Sequence, residues 1–227
     1  MASDKENTSE SRPPVIIFVL GPPGSGKGTL CKSVLEEPKI FGDRFVCNHL
    51  SVGDHLRDLC ATDLRYKKGD LDLNTIRDHM ATNTLLPHDV LIPVLEDWIG
   101  YKVAEPSAFN SVLLVDGFPR SMGQALAFED KASPLEDGQM CSKSICKPLK
   151  VIVLECPYET ARSRFLGRRR DGADDEKRFE TRYSEYIENM KEIRERYKDI
   201  IEPVFAGGTR ENNLIMFKDT LKSIQIP

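Results

Sequence analysis

Four glycines, two prolines, a serine, a lysine and a threonine make up Gly21-Pro22-Pro23-Gly24-Ser25-Gly26-Lys27-Gly28-Thr29. That set suits one task, closing a backbone loop around phosphate. Glycines let main-chain N–H groups approach and wrap a polyphosphate, and a helix opening directly after them adds partial positive charge. Lys27 stands where it would reach the terminal phosphates. The hydroxyl that usually follows this lysine is displaced by one place, since Gly28 sits there. Thr29 is left to help hold a Mg²⁺ ion carried in by the phosphates.

A second group is Asp116-Gly117-Phe118-Pro119-Arg120, directly after the apolar run Val112-Leu-Leu-Val115. A carboxylate at the end of a buried strand lies beside the cradle in an α/β sheet, where it can hold waters of a Mg²⁺ ion. Arg120 can clamp an acceptor phosphate with two parallel hydrogen bonds. A third group crowds Arg162, Arg164, Arg168, Arg169 and Arg170 into one stretch, with Arg178 beyond the acidic turn 171–175. Alone, that cluster reads as a solvated face or a nucleic-acid patch. The spacing of four puts Arg164 and Arg168 on one side of a helix.

Phosphate cradles serve switches, motors, hydrolases and transferases. No NKxD base-reading motif is present, which argues against a GTPase. A hydrolysing ATPase commonly carries a second carboxylate after the first to polarise water, and here Gly117 follows Asp116. The acceptor is therefore expected to be a bound molecule, which favours a kinase.

These residues need a scaffold that brings strand ends together. β-Branched and apolar runs predict buried parallel strands over 15–20, 112–115 and 151–154, and a short strand is expected over 45–50. Helices are expected over 27–37, over 51–60 from a Ser51/Asp54 capping box, over 75–83 capped by Asn74, and over 89–101. The last is acceptable only with Pro93 in its first turn. Pro157 opens another. Apolar residues at Phe179, Tyr183, Ile187, Met190, Ile193, Tyr197 and Ile201 mark one long amphipathic helix over 175–201. The run 214–217 is read as a last strand. Short strands alternating with helices predict an α/β fold, a doubly wound parallel sheet flanked by helices.

The 227 residues are 40% hydrophobic and 30% charged with a net charge of −4, enough for one domain with a core. Residues 1–12 read as a disordered tail, and 13–227 as the domain. The acidic balance argues against general attraction to nucleic acid or membrane. Six cysteines lack CxxC spacing and four histidines lack an HExxH pattern. A reduced, cytoplasmic protein (the nucleus also open) is expected, monomeric and with no protein-held metal. The polar N-terminus has no signal-like apolar segment.

With both motifs in hand, the chain resembles the nucleoside monophosphate kinases of the adenylate and UMP/CMP kinase family over about residues 15–205. Leu50-Ser51-Val52-Gly53-Asp54-His55-Leu56-Arg57 looks like the family's entry to its monophosphate-binding part, Leu86-Pro87 like its exit, and Glu155-Cys156-Pro157 like the strand end before its lid. The resemblance implies a P-loop fold with a monophosphate-binding part at 51–87 and a short lid at 167–178, and an extra loop at 131–149. It implies ATP as co-substrate with Mg²⁺, and a nucleoside monophosphate (UMP/CMP or AMP) as acceptor. Lid arginines Arg164, Arg168 and Arg178 would close over the phosphates. Ser51, Val52, Arg57, Gly117, Phe118, Arg120 and Gln124 would serve the acceptor, Gln124 through its amide at the base. Val52, without the threonine hydroxyl usual in adenylate kinases, leans to the pyrimidine type; the base is left open. The lid is several residues shorter than in short-lid relatives, and the C-terminus is expected to be too brief for a full closing helix. A catalytically impaired nucleotide-binding relative is the alternative.

Overall fold

The computed structural model describes residues 14–37, 39–61, 71–103, 110–131, 146–168 and 175–226. The expected tail (1–12), most of the extra loop, Arg169, Arg170 and the turn 171–174 lie outside the described residues. Five strands, β1 (Val15–Leu20), β2 (Val46–Ser51), β3 (Ser111–Asp116), β4 (Pro148–Glu155) and β5 (Ile201–Phe205), form one sheet. The order is β2-β3-β1-β4-β5, and every pairing is parallel. Helices among the described residues are α1 (Lys27–Val34), α2 (Val52–Ala61), α3 (Leu73–Thr82), α4 (His88–Val103), α5 (Met122–Lys131), α6 (Tyr158–Gly167), α7 (Glu176–Arg196) and α8 (Arg210–Ser223). None is long and apolar enough to cross a membrane.

Side chains of a strand alternate between faces, and β1 shows it. Ile16, Phe18 and Leu20 pack with α4, α5 and α7, whereas Ile17 and Val19 pack with α1, α6 and α8. Both faces are covered, so β3 is buried along its whole length, as its unbroken apolar run requires. Phe18, Phe118 and Phe128 meet edge-on or tilted at ring separations of 5.3 Å.

The C-terminus corrects two expectations. The last strand is β5, whose Pro203 is tolerated because β5 is an edge strand paired only to β4. The run 214–217 lies inside α8, which starts at the cap Thr209 (its side chain accepting from Asn212 N) and supplies the closing helix that the sequence was expected to lack. Asn213, Phe217 and Leu221 are buried at steps of four, while neighbours Ile215 and Met216 are both exposed. No strand places two neighbours on one face.

Smaller corrections follow from local chemistry. α7 stops at Arg196, so Ile201 belongs to β5. Asp72 rather than Asn74 caps α3, its carboxylate accepting from Thr75 N at 3.0 Å. α1 ends at Val34, short of 37. Pro93 is the sixth residue of α4 rather than a first-turn residue. The donor it lacks is offset by burial of Leu91, Ile92, Val94, Leu95 and Ile99.

If 214–217 is helical, Phe217→Ala costs about 3–5 kcal/mol of stability, whereas Ile215→Ala stays within about 0.5 kcal/mol. Urea unfolding checks this; equal losses at both sites would contradict the assignment.

Candidate functional site

The cradle turns between β1 and α1 through left-handed backbone, with φ +82° at Gly24 and +92° at Gly26. A Cβ on Gly24 would lie 2.0 Å from the Ala161 carbonyl oxygen of α6, so only glycine fits there. Lys27 folds back on the loop, donating to Gly21 O at 2.8 Å, Pro22 O at 3.0 Å and Ser25 Oγ at 3.4 Å. Burial pushes its pKa down to about 8, against the pull of Asp116 and with Arg120, Arg182 and Arg168 adding to the fall.

Asp116 ends β3, level with Ser51 on β2. Its Oδ2 lies 3.4 Å from His49 Nε2, both side chains nearly enclosed. The same oxygen is 3.2 Å from where a Cβ on Gly28 would stand. The carboxylate thus rests against the first turn of α1, and the glycine at 28 leaves it room. No group of three or more His, Cys, Asp or Glu able to hold a metal occurs among the described residues. A buried carboxylate beside a phosphate cradle fits Mg²⁺ that would arrive on phosphate oxygens, and Asp116 and Thr29 are the residues that could reach it through water.

Across the cradle, two guanidinium groups converge. A Cβ on Gly53 would sit 3.6 Å from Arg120 Nη2 and 3.8 and 3.9 Å from Arg57 Nη1 and Nη2. Arg120 Nε also donates to Gly117 O at 3.0 Å, and Arg57 pairs with Asp54. Such a pair of forks can receive one phosphate.

A cavity of about 450 Å³ joins these parts. Of the expected residues, Gly21, Pro23, Gly24, Ser25, Gly26, Lys27, Gly28, Thr29, Ser51, Arg57, Asp116, Gly117, Arg120, Arg164, Arg168 and Arg178 line it. Pro22 does not; its carbonyl anchors Lys27 instead. Three acceptor-side residues also fall elsewhere. Val52 and Phe118 are core side chains, 4% and 0% exposed. Gln124 is buried with its amide engaged inside the protein, Oε1 accepting from Arg120 N at 2.9 Å and Nε2 donating to Leu86 O at 3.0 Å. It ties the Arg120 loop to the exit at Leu86-Pro87.

The arginines divide by partner. Arg164 donates to Ala206 O at 2.6 Å and Gly208 O at 2.5 Å, while Arg168 lies 4.1 Å over the Phe165 ring. Arg178 Nε donates to Asn83 Oδ1 at 3.1 Å, joining the start of α7 to the end of α3. Sequence reasoning missed Arg182, which also lines the cavity. Burial, then Arg120, Arg168, Arg178 and Arg57, drive its pKa down to about 9. A signal was available: Arg178, Arg182, Glu185 and Asn189 repeat at steps of four, three and four, a polar stripe beside the apolar one. His49 and Arg210 were missed as well, and nothing in their spacing marked them.

An adenylate kinase family model matches residues 19–201. The chain belongs to the adenylate kinase family. UMP-CMP kinase 3 of Arabidopsis thaliana is 30% identical over 202 residues, covering 89% of this chain and 78% of that protein. Uridylate kinase of Schizosaccharomyces pombe is 29% identical over 220 residues, 92% and 97% of the two chains. Adenylate kinase 1 of Schistosoma mansoni is 30% identical over 199 residues, 86% of each. This family member therefore sits among kinases named for different monophosphates.

Phosphate favours the charged form of Lys27, so above pH 8 triphosphate binding must take up a proton. The Kd for ATP with magnesium is expected to rise about tenfold from about pH 7 to about pH 9, and the rise to vanish in Lys27→Met. Calorimetric titration reads both; a flat wild-type profile would refute the buried-lysine account.

Proposed function

We propose that this adenylate kinase family member transfers the γ-phosphoryl group of a magnesium-bound nucleoside triphosphate, ATP in the first instance, to a nucleoside monophosphate of the UMP/CMP or AMP class. The convergence of Arg57 and Arg120 over Gly53, across the cradle from α6, supports this most directly. A hydrolase has no use for a second phosphate clamp. We infer that 51–87 is the acceptor-binding part and 167–178 the lid.

In this reading the cradle's N–H groups and Lys27 hold the donor phosphates, Lys27 leaving the Gly21 and Pro22 carbonyls to do so. Arg57 and Arg120 hold the acceptor phosphate. One of its oxygens attacks the γ-phosphorus in line, the bond to the β–γ bridging oxygen breaks, and ADP leaves. Arg182, between the acceptor pair and Arg168 and Arg178, meets the charge on the moving group. Positioning and charge stabilisation suffice for phosphoryl transfer. Magnesium, when bound, would neutralise phosphate charge, with Asp116 and Thr29 as its protein contacts through water. Closure of 167–178 over the cavity would exclude water as a competing acceptor. The impaired-relative alternative drew on the shortened lid and on a missing closing helix, and α8 removes the second of these grounds.

A coupled assay of ADP formation with AMP, UMP, CMP and dCMP at saturating ATP tests the assignment. Transfer to at least one acceptor is expected, and Lys27→Ala abolishes it while thermal unfolding stays cooperative. Arg120→Ala raises the acceptor KM by about 100-fold and leaves ATP binding intact. Near-normal turnover of Lys27→Ala, or hydrolysis without any acceptor requirement, would refute it.

A further inference from the structure

Asn83 ends α3 with a left-handed backbone, φ +57°, a conformation that Asn110 alone shares among the described non-glycine residues. Main-chain bonds settle that helix end. The N–H groups of Asn83 and Thr84 both go to His79 O, the second at 3.1 Å. Such a terminus suits glycine at least as well as asparagine, and the amide takes no part in it. The side chain reaches instead to a residue 95 positions along the chain, its Oδ1 accepting from Arg178 Nε at 3.1 Å.

What that bond does follows from the shape of a guanidinium group, a rigid planar fork that only donates. An oxygen on Nε fixes the plane of the fork and leaves its two terminal nitrogens, which bond to no other described residue, for a ligand. The main chain of Arg178 is held as well, its N–H donating to Asp175 Oδ1 at 2.7 Å in the cap of α7. Pinned at both ends, the side chain gives up most of the rotamer freedom that a long arginine carries. Arg178 lines the cavity, and so does Leu85, two residues beyond Asn83.

We propose that Asn83 is a positioning residue for Arg178, holding it at Nε so that its terminal nitrogens meet phosphate in the cavity. This rests on the kinase reading above, in which 51–87 binds the acceptor. Asn83 then ties the end of the acceptor-binding part to the arginine at the start of α7. Arg178 is aimed only when that part is in place, and a phosphate on the terminal nitrogens need not displace the Nε bond.

Two substitutions separate the amide from the backbone that carries it. Asn83→Gly keeps the left-handed turn and loses the acceptor oxygen, whereas Asn83→Asp keeps an oxygen on a residue that also tolerates the turn. Thermal unfolding should stay cooperative in both. In the coupled assay, Asn83→Gly is expected to lower kcat by about 10- to 100-fold with both KM values unchanged, and Asn83→Asp to restore most of the rate. The loss should vanish in an Arg178→Ala background, because the two residues act as one unit. A loss of equal size with Arg178 already gone would make Asn83 merely structural. That result, an unchanged kcat in Asn83→Gly, or an equal loss in Asn83→Asp would each overturn the proposal.

A binding measurement needs no turnover. Adenosine joined through five phosphates to uridine, or to a second adenosine, can occupy cradle and clamp together. Calorimetry should find that compound bound about tenfold more weakly by Asn83→Gly, with ATP alone and the monophosphate alone unaffected. That difference in a protein that transfers to no monophosphate would sink the kinase reading and leave the role of Asn83 standing. Equal binding by wild type and Asn83→Gly, or none by either, would overturn the proposal.

Discussion

Like charges drawn together around one cavity are the constraint around which this molecule is arranged. Lys27 and seven arginines line one cavity with Asp116 and Glu185 as its described carboxylates. Burial is the largest cause of the lowered pKa at Lys27, Arg120 and Arg182, and their mutual repulsion adds to it. A polyanion in the cavity would relieve such a cluster, because like charges brought together and partly desolvated are destabilising. In the free protein each cation leans on local acceptors: Lys27 on loop carbonyls, Arg57 on Asp54, Arg178 on Asn83, Arg164 on the 206–208 backbone. Those partners are mostly neutral dipoles, which a phosphate can displace.

The sheet makes the arrangement rigid. β1 and β3, enclosed by helices on both faces, deliver the cradle and Asp116 side by side at their C-terminal ends. Absence of a side chain at Gly28 lets the carboxylate approach α1, and absence of one at Gly24 lets the loop seat on α6. α7 carries the design furthest. One stripe buries Phe179, Met190 and Ile193 in the core, and the adjoining stripe presents Arg178, Arg182, Glu185 and Asn189 to the cavity. The same helix thus anchors the core and lines the cavity with charge.

The parts legible in the sequence were those with one physical reading. An unbroken β-branched run such as 15–20 can hardly be anything but a doubly covered strand, and a glycine-rich turn with lysine before a helix has few uses besides phosphate. Ambiguity entered where a pattern was short or doubled. Four apolar residues at 214–217 fit either period, and only Phe217 and Leu221 burying together at a step of four decide for a helix. In α7 the polar stripe runs beside the apolar one, so apolar periodicity marks Phe179 and Ile193 but not Arg182. Gln124, Val52 and Phe118 lie next to cavity-lining residues in the chain yet face inward. Sequence proximity to Arg120 or Ser51 does not say on which side of the backbone a side chain falls. His49 meets Asp116 only through the pairing of β2 with β3, a contact that no local pattern announces.

Arg182→Met most directly tests whether the cavity's charge is a strain awaiting a polyanion. Followed by thermal unfolding at neutral pH, the ligand-free variant should melt higher than wild type by roughly 2–4 °C, since a desolvated charge among like charges is gone. The rise in melting temperature that ATP, magnesium and a monophosphate produce together should shrink well below that of wild type. A variant that melts lower without ligand, yet keeps the full nucleotide-induced rise, would contradict the account.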